Sequence, residues 1–145
     1  MLKIIGRKTS SNVMKVLWAC TELGLDFKRK DLGGPFGGNN SPEYQVLNPN
    51  GLVPTIIEDD FVLWESNSIV RYLAHEHGQG ALWPTNARTR ARAERWMDWQ
   101  ISTLSPTMVV VFRGLVRTPP DQRDPAAIVA ARDRLGALFA VLDGA

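Results

Sequence analysis

The chain has 145 residues, about the length of one average domain. Its 17 Lys and Arg against 15 Asp and Glu leave a formal charge of +2, which removes the main reason to expect nucleic acid or an anionic membrane as partner. An apolar fraction of 44% suits a folded globular chain, and the single cysteine excludes a disulfide framework or an all-cysteine metal site. The longest aliphatic or aromatic run, Met108 to Phe112, falls far short of the ~18 residues of a membrane span. Lys3, Gly6, Arg7 and Lys8 break up the N-terminus, so it has no signal-peptide apolar region. The expectation is a soluble, cytoplasmic protein.

Leu2 to Gly6 is apolar-rich and ends at a glycine, which predicts a strand. Val13, Val16, Leu17, Cys20 and Leu23 recur at helical spacing and describe one buried face, closed by Gly24. Asp26 to Leu32 is a weaker strand, and the three segments form a βαβ unit with parallel strands. After a glycine-crowded stretch, read as a mobile loop, Ser41-Pro42 supplies the cap and first residue of a short helix that Asn48-Pro49 ends. Pro54 to Glu58 and Phe61 to Trp64 flank Asp59-Asp60 as a hairpin, and Ser66 to Glu76 is the next helix. The order is βαβ, short helix, ββα.

Residues 79–87 are read as a linker between a domain over 1–78 and an all-helical region over 88–145. There Met97, Ile101, Leu104, Met108, Val111 and Leu115 predict one long helix, with Pro106 expected to kink it. Asp124-Pro125 opens a second helix with Ile128, Ala131, Leu135, Leu138 and Leu142 inward, antiparallel to the first. No third helix covers the pair. Either a partner chain does so or the chain is shorter than its natural parent, and the second reading is taken here.

Ser10, Ser11 and Asn12 join the first strand to the first helix. They suit helix capping, and equally a hydroxyl facing an anion or thiolate beside a helix N-terminus. Val53-Pro54 is either a plain strand entry or a cis peptide that leaves Val53's main chain free for a peptide-like ligand. Ser66 reads as an N-cap, or with Glu65 as a receptor for an α-amino acid head: hydroxyl and helix N–H groups for the carboxylate, Glu65 for the ammonium. Cys20 belongs to the apolar stripe as an inert thiol, and His75 and His77 are spaced wrongly for a shared metal. No metal site is expected. Arg88, Arg90, Arg92 and Arg95 read as a solvated or subunit-facing surface.

Three segments stand in order: Ser10-Ser11-Asn12-Val13-Met14-Lys15-Val16, then Asn48 to Ile56 with its Leu52-Val53-Pro54, then Trp64-Glu65-Ser66-Asn67-Ser68-Ile69 with Tyr72-Leu73. Together they resemble the cytosolic glutathione transferase family, in particular its serine-type bacterial members. Arg95-Trp96-Met97-Asp98-Trp99-Gln100 is similar to that family's first long helix. The resemblance implies a thioredoxin-like α/β N-terminal domain followed by an all-α domain. It also implies glutathione as co-substrate with no further cofactor, a small apolar electrophile as second substrate, and a homodimer.

Carried over by position, Ser10 is the activating hydroxyl and Asn12 a holder of the glutathione sulfur. Ser11, Leu52, Val53 and Pro54 meet the peptide, while Glu65 and Ser66 hold its γ-glutamyl end. Met108, Phe112 and Arg113 form the acceptor wall, although plain core packing suits Met108 and Phe112 as well. Two other expectations stand beside conjugation: glutathione-dependent disulfide or peroxide reduction centred on Asn12, and a non-catalytic ligand-binding protein. Redox members often carry cysteine where Ser10 stands, so Ser10 argues against a protein-thiol mechanism.

Overall fold

Four short strands, β1 (Leu2–Ile5), β2 (Phe27–Lys30), β3 (Thr55–Glu58) and β4 (Phe61–Trp64), form one mixed sheet in the order β2-β1-β3-β4. The computed structural model describes residues 1–145 and divides them into two compact units, Met1–Ala87 and Arg88–Ala145. β1 runs parallel to β2 and antiparallel to β3, and β3 runs antiparallel to β4. Being central, β1 is apolar toward both faces. Leu2 and Ile4 join Val16 and Cys20 of α1 (Ser11–Glu22) and Ile69 and Leu73 of α3 (Ser66–His77). Ile5 packs on the other face with Leu32 and with Tyr44 of α2 (Pro42–Leu47). β2 is an edge strand whose Lys28 and Lys30 face solvent, a charge pattern that discourages further pairing.

Local signals account for most boundaries. The Ser41 hydroxyl accepts the Tyr44 N–H at 3.3 Å with Pro42 opening α2, and the β3–β4 hairpin turns at Asp59, whose φ of 55° an aspartate tolerates. Gly24 leaves α1 at φ 64°. The cap position of α3 corrects one expectation: it falls on Glu65, and Ser66 is the first helical residue. The glycine-crowded stretch carries one 3₁₀ turn, Gly34–Phe36, bridged by Gly33 N–H to Gly37 C=O at 2.7 Å. Residues 78–83 fold back, Trp83 N–H reaching Gly78 C=O at 2.8 Å.

In the second unit, α4 (Ala87–Trp99) continues through a π turn (Gln100–Leu104) into α5 (Ser105–Phe112), then through a second π turn (Arg113–Arg117). The first π turn meets Pro106. Proline brings no N–H, and its ring clashes with the carbonyl four residues back. Here Ser105 N–H reaches Gln100 C=O, the i→i+5 spacing that widens the helix just ahead of the proline. The extra residue turns everything after it by roughly 100°.

The expected inward stripe is therefore displaced. Ile101, Met108 and Leu115 are exposed, Leu104 and Val111 of that stripe are half-buried, and Thr107 and Gly114 complete the packed face. A Cβ on Gly114 would meet Ile128 of α6 (Pro125–Asp143) at 2.7 Å, so glycine permits this close helix pairing. On α6, Leu135 is buried as expected, but Leu142 is exposed. Two helices cover only one face of each other. No helix of the protein is long and apolar enough to cross a membrane.

Candidate functional site

One end of the sheet gathers the polar candidates, because topology brings four chain segments there. β1 and β2 end at it, β3 begins at it and β4 ends at it. Along that edge the order is Gly33-Gly34 after β2, Arg7 after β1, Val53-Pro54 before β3, and Glu65 after β4. A cleft of about 60 Å³ opens there, bounded by Asn12, Asn48, Leu52, Val53, Pro54, Glu65 and Ser66. It has room for a small charged head group.

Of the residues singled out from sequence, Asn12, Leu52, Val53, Pro54, Glu65 and Ser66 line this cleft together. The Val53-Pro54 peptide is cis, and Val53's main chain makes no hydrogen bond within the chain. Glu65 has φ 73°, in the left-handed region that a non-glycine residue occupies at a cost of about 1–3 kcal/mol. Although Glu65 holds the cap position, its carboxylate makes no capping bond, and the residue borders the cleft.

Ser10 sits half-buried at the cap position of α1, and Ser11 is exposed as its first helical residue. Neither lines the cleft. The Ser10 side chain makes no capping bond, so the hydroxyl is not committed to the helix. The capping reading of Ser10 holds for its backbone position only. Met108, Phe112 and Arg113 lie in the second unit and are exposed, with the Arg117 guanidinium 5.6 Å from the centre of the Phe112 ring.

Two supporting groups escaped the sequence reading. Asn48, only 2% exposed, donates to Leu52 C=O at 2.8 Å, and its Oδ1 accepts the Asn50 N–H at 3.0 Å. The Tyr44 hydroxyl donates to the same Leu52 carbonyl and lies 2.9 Å from Thr55 Oγ1. Leu52 is thus fixed from two sides immediately before Val53. The second group is Lys15, whose ammonium donates to Asn67 Oδ1 at 2.8 Å and links α1 to the start of α3. Burial pushes its pKa below the ordinary lysine value, and the negative charge of Glu65 opposes that shift. Asn48 carried a signal as part of Asn48-Pro49-Asn50-Gly51, whereas Lys15 shows its role only once α1 and α3 are packed.

Larger hollows lie elsewhere. One of about 400 Å³ in the second unit is lined by Arg95, Trp96, Trp99, Val141, Gly144 and Ala145. It offers indole faces and no group suited to activating a thiol. Cys20 is buried in the core, where burial pushes its thiol up to about 11. No group of three or more His, Cys, Asp or Glu side chains is placed to hold a metal ion.

A four-stranded β2-β1-β3-β4 sheet with α1 and α3 on one face, α2 on the other and a helical unit following defines the architecture as thioredoxin-like α/β plus all-α. Residues 9–76 match the family described as the glutathione S-transferase N-terminal domain. Glutathione S-transferase GstB of Escherichia coli is 48% identical over 145 residues, covering 99% of this chain and 70% of the relative. A theta-class glutathione S-transferase from Xanthomonas axonopodis pv. citri, solved with glutathione bound, superposes with TM-score 0.93 at 48% identity, covering 99% of this chain and 69% of that one. Glutathione transferase URE2P6 from Phanerochaete chrysosporium, in complex with oxidized glutathione, gives TM-score 0.87 at 27% identity, covering 99% and 66%. The chain belongs to the glutathione S-transferase family of enzymes.

Proposed function

We propose that the protein binds glutathione across the sheet-end cleft, ionises its thiol at the start of α1 and transfers the thiolate to a small apolar electrophile. The convergence of Asn12, Val53, Glu65 and Ser66 on one cleft carries this reading. Glu65 takes the ligand's ammonium, Ser66 and the first N–H groups of α3 take its α-carboxylate, and the free main chain of Val53 pairs with the cysteinyl peptide. Ser11 and Pro54 border the same path. The Ser10 hydroxyl donates to the sulfur.

Magnitudes support that step. A free thiol with a pKa near ~8.5 is only a few per cent ionised at neutral pH. One hydrogen bond to the thiolate contributes about 1.5–3 kcal/mol, and the helix N-terminus about 0.3–1 kcal/mol. At about 1.4 kcal/mol per pKa unit the thiol falls by ~1–3 units. Its proton leaves to solvent, the sulfur lone pair forms the new S–C bond, and the acceptor's leaving group departs with its electron pair. Met108, Phe112 and Arg113 are proposed to wall the acceptor. The reading places the protein in the cytoplasm as a homodimer, where glutathione keeps thiols reduced.

Calorimetric titration of glutathione in two buffers of different ionisation enthalpy tests this reading. Proton release in the wild type that is lost in Ser10→Ala, with binding retained, is the expected result. Binding without proton release refutes thiolate activation, and an unchanged turnover in Ser10→Ala removes its assigned role.

A second reading has its own support, since Asn12 lines the cleft and Ser10 does not. In glutathione-dependent disulfide reduction, Asn12 would hold the sulfur. Asn12→Ala would then lower turnover on a disulfide substrate more than Ser10→Ala does.

A further inference from the structure

The sheet carries a second concave surface, on the face away from α1 and α3. The only helix on that face is α2, six residues long, which packs Tyr44 against Ile5 and Leu32. A groove of about 250 Å³ lies on the same face, lined by Lys3, Ile5, Lys28, Lys30 and Ile57 among others. It shares no residue with the sheet-end cleft. The register explains its make-up: Lys3 stands opposite Lys28 on one side and Ile57 on the other, and Ile5 stands opposite Lys30. With a side-chain period of two, all five residues fall on one face. Buried Ile5 and half-buried Ile57 give an apolar floor, and the three exposed lysines frame it.

The lysines are crowded and uncompensated. Strands lie ~4.8 Å apart and residues two apart on a strand ~6.6 Å, so the three Cα atoms fall within about 8 Å of one another. Like charges directly opposite on neighbouring strands destabilise a sheet, and Lys3 and Lys28 are such a pair. None of the three is ion-paired within the chain. Nearby charges are engaged elsewhere: Asp31 with Arg29, which also donates to Gly6 C=O at 2.9 Å, and Asp59 with the amino terminus. Lysine stems lie readily along an apolar wall while their ammonium groups stay in water. The groove therefore offers a dry floor and a triply cationic rim.

We infer that this groove binds a free single-chain amphiphile with a doubly charged head group, an alkyl phosphate in chemical class. Its volume lies below the ~300–1,000 Å³ of most ligand pockets, which suits one unbranched alkyl chain rather than a ring system. Three unpaired cations exceed what a single carboxylate neutralises, and lysine binds phosphate as a point charge. The site is independent of the glutathione reading, because the two surfaces have no residue in common.

The test is calorimetric titration of octyl phosphate, kept below its micelle-forming concentration, with amide chemical shifts to locate it. One molecule per chain should bind and shift the amides of Lys3, Ile5, Lys28, Lys30 and Ile57. Octanoate should bind about fivefold more weakly, and the double variant Lys3→Gln/Lys28→Gln should bind octyl phosphate about tenfold more weakly, as expected for exposed ion pairs. The same double variant should have an unchanged or higher thermal midpoint, since it removes a like-charge pair. Octanol or inorganic phosphate binding as tightly as octyl phosphate overturns the inference, and so does octanoate binding as tightly. Many molecules per chain, shifts confined to other residues, or full affinity in the double variant also overturn it. Binding to phosphatidic acid vesicles without binding of free octyl phosphate would make this face a membrane surface instead.

Discussion

Cys20 shows how position decides the chemistry of a residue in this protein. Its thiol stands one turn beyond Val16 on the inner face of α1, in the cluster with Ile4, Ile56, Ile69 and Leu73. Burial raises its pKa from 9.0 to about 11. The folded state therefore keeps the proton over a range where the unfolded chain has released it. This stabilisation is complete below pH 9 and is lost as pH rises toward 11. Cys20→Ala should flatten that alkaline loss in denaturant titrations at pH 8 and pH 10.5, although it lowers stability at both through lost packing. An unchanged slope between the two would show that Cys20 is not its source. Glu65 is the opposite case: it borders the cleft in an unfavourable backbone conformation, and its carboxylate is not used as a cap.

At the scale of elements, local signals carried furthest. The Asp124 carboxylate accepts the Ala127 N–H at 3.0 Å with Pro125 first in α6, as cap chemistry alone predicts. Asp124→Ala should therefore cost about 1 kcal/mol, read as a lower thermal midpoint, and Asp124→Asn much less. Equal losses in the two variants would mean that charge, not the cap bond, is at work.

The α2 cap and the Asp59-Asp60 hairpin were legible for the same reason. Distance in sequence marks what was not. The bonds from Asn48 and Tyr44 onto Leu52 join residues brought together by a turn, and Lys15 meets Asn67 only after α1 packs on α3. The long helix failed differently. Its apolar spacing fitted one long helix kinked at Pro106, but the π turn before that proline shifted the packed face from Met108 and Leu115 to Thr107 and Gly114. Three of the cleft's binding candidates, Val53, Glu65 and Ser66, came from motif spacing, and the sheet's edge order explains why segments so far apart share one end.

Across the whole molecule, burial is unevenly shared. Every apolar side chain buried below one-tenth exposure lies in the first unit except Leu135. In the second unit Met108, Val109, Val110, Phe112, Leu115 and Val116 are all exposed. Local opening should follow this contrast, because few buried contacts oppose it in the second unit. Hydrogen exchange is expected to be slowest in β1, β3, α1 and α3 and markedly faster in α5 and α6. Equal protection across both units would show that stability is not distributed as burial is.

The five tryptophans give these two units separate optical signatures. Trp64 is joined directly to Glu65 and is 36% exposed, so its emission is sensitive to what occupies the cleft. Trp18 stands on the outer side of α1 with its indole N–H on Glu22, and Trp83 meets the His75 ring edge-on at 5.0 Å. Trp96 and Trp99 are a perpendicular pair 5.4 Å apart, a geometry that couples their transitions and gives the helical unit its own near-ultraviolet dichroism. Cleft occupancy, the packing of each unit's helices and their loosening are therefore reported by different indoles, with no dye attached.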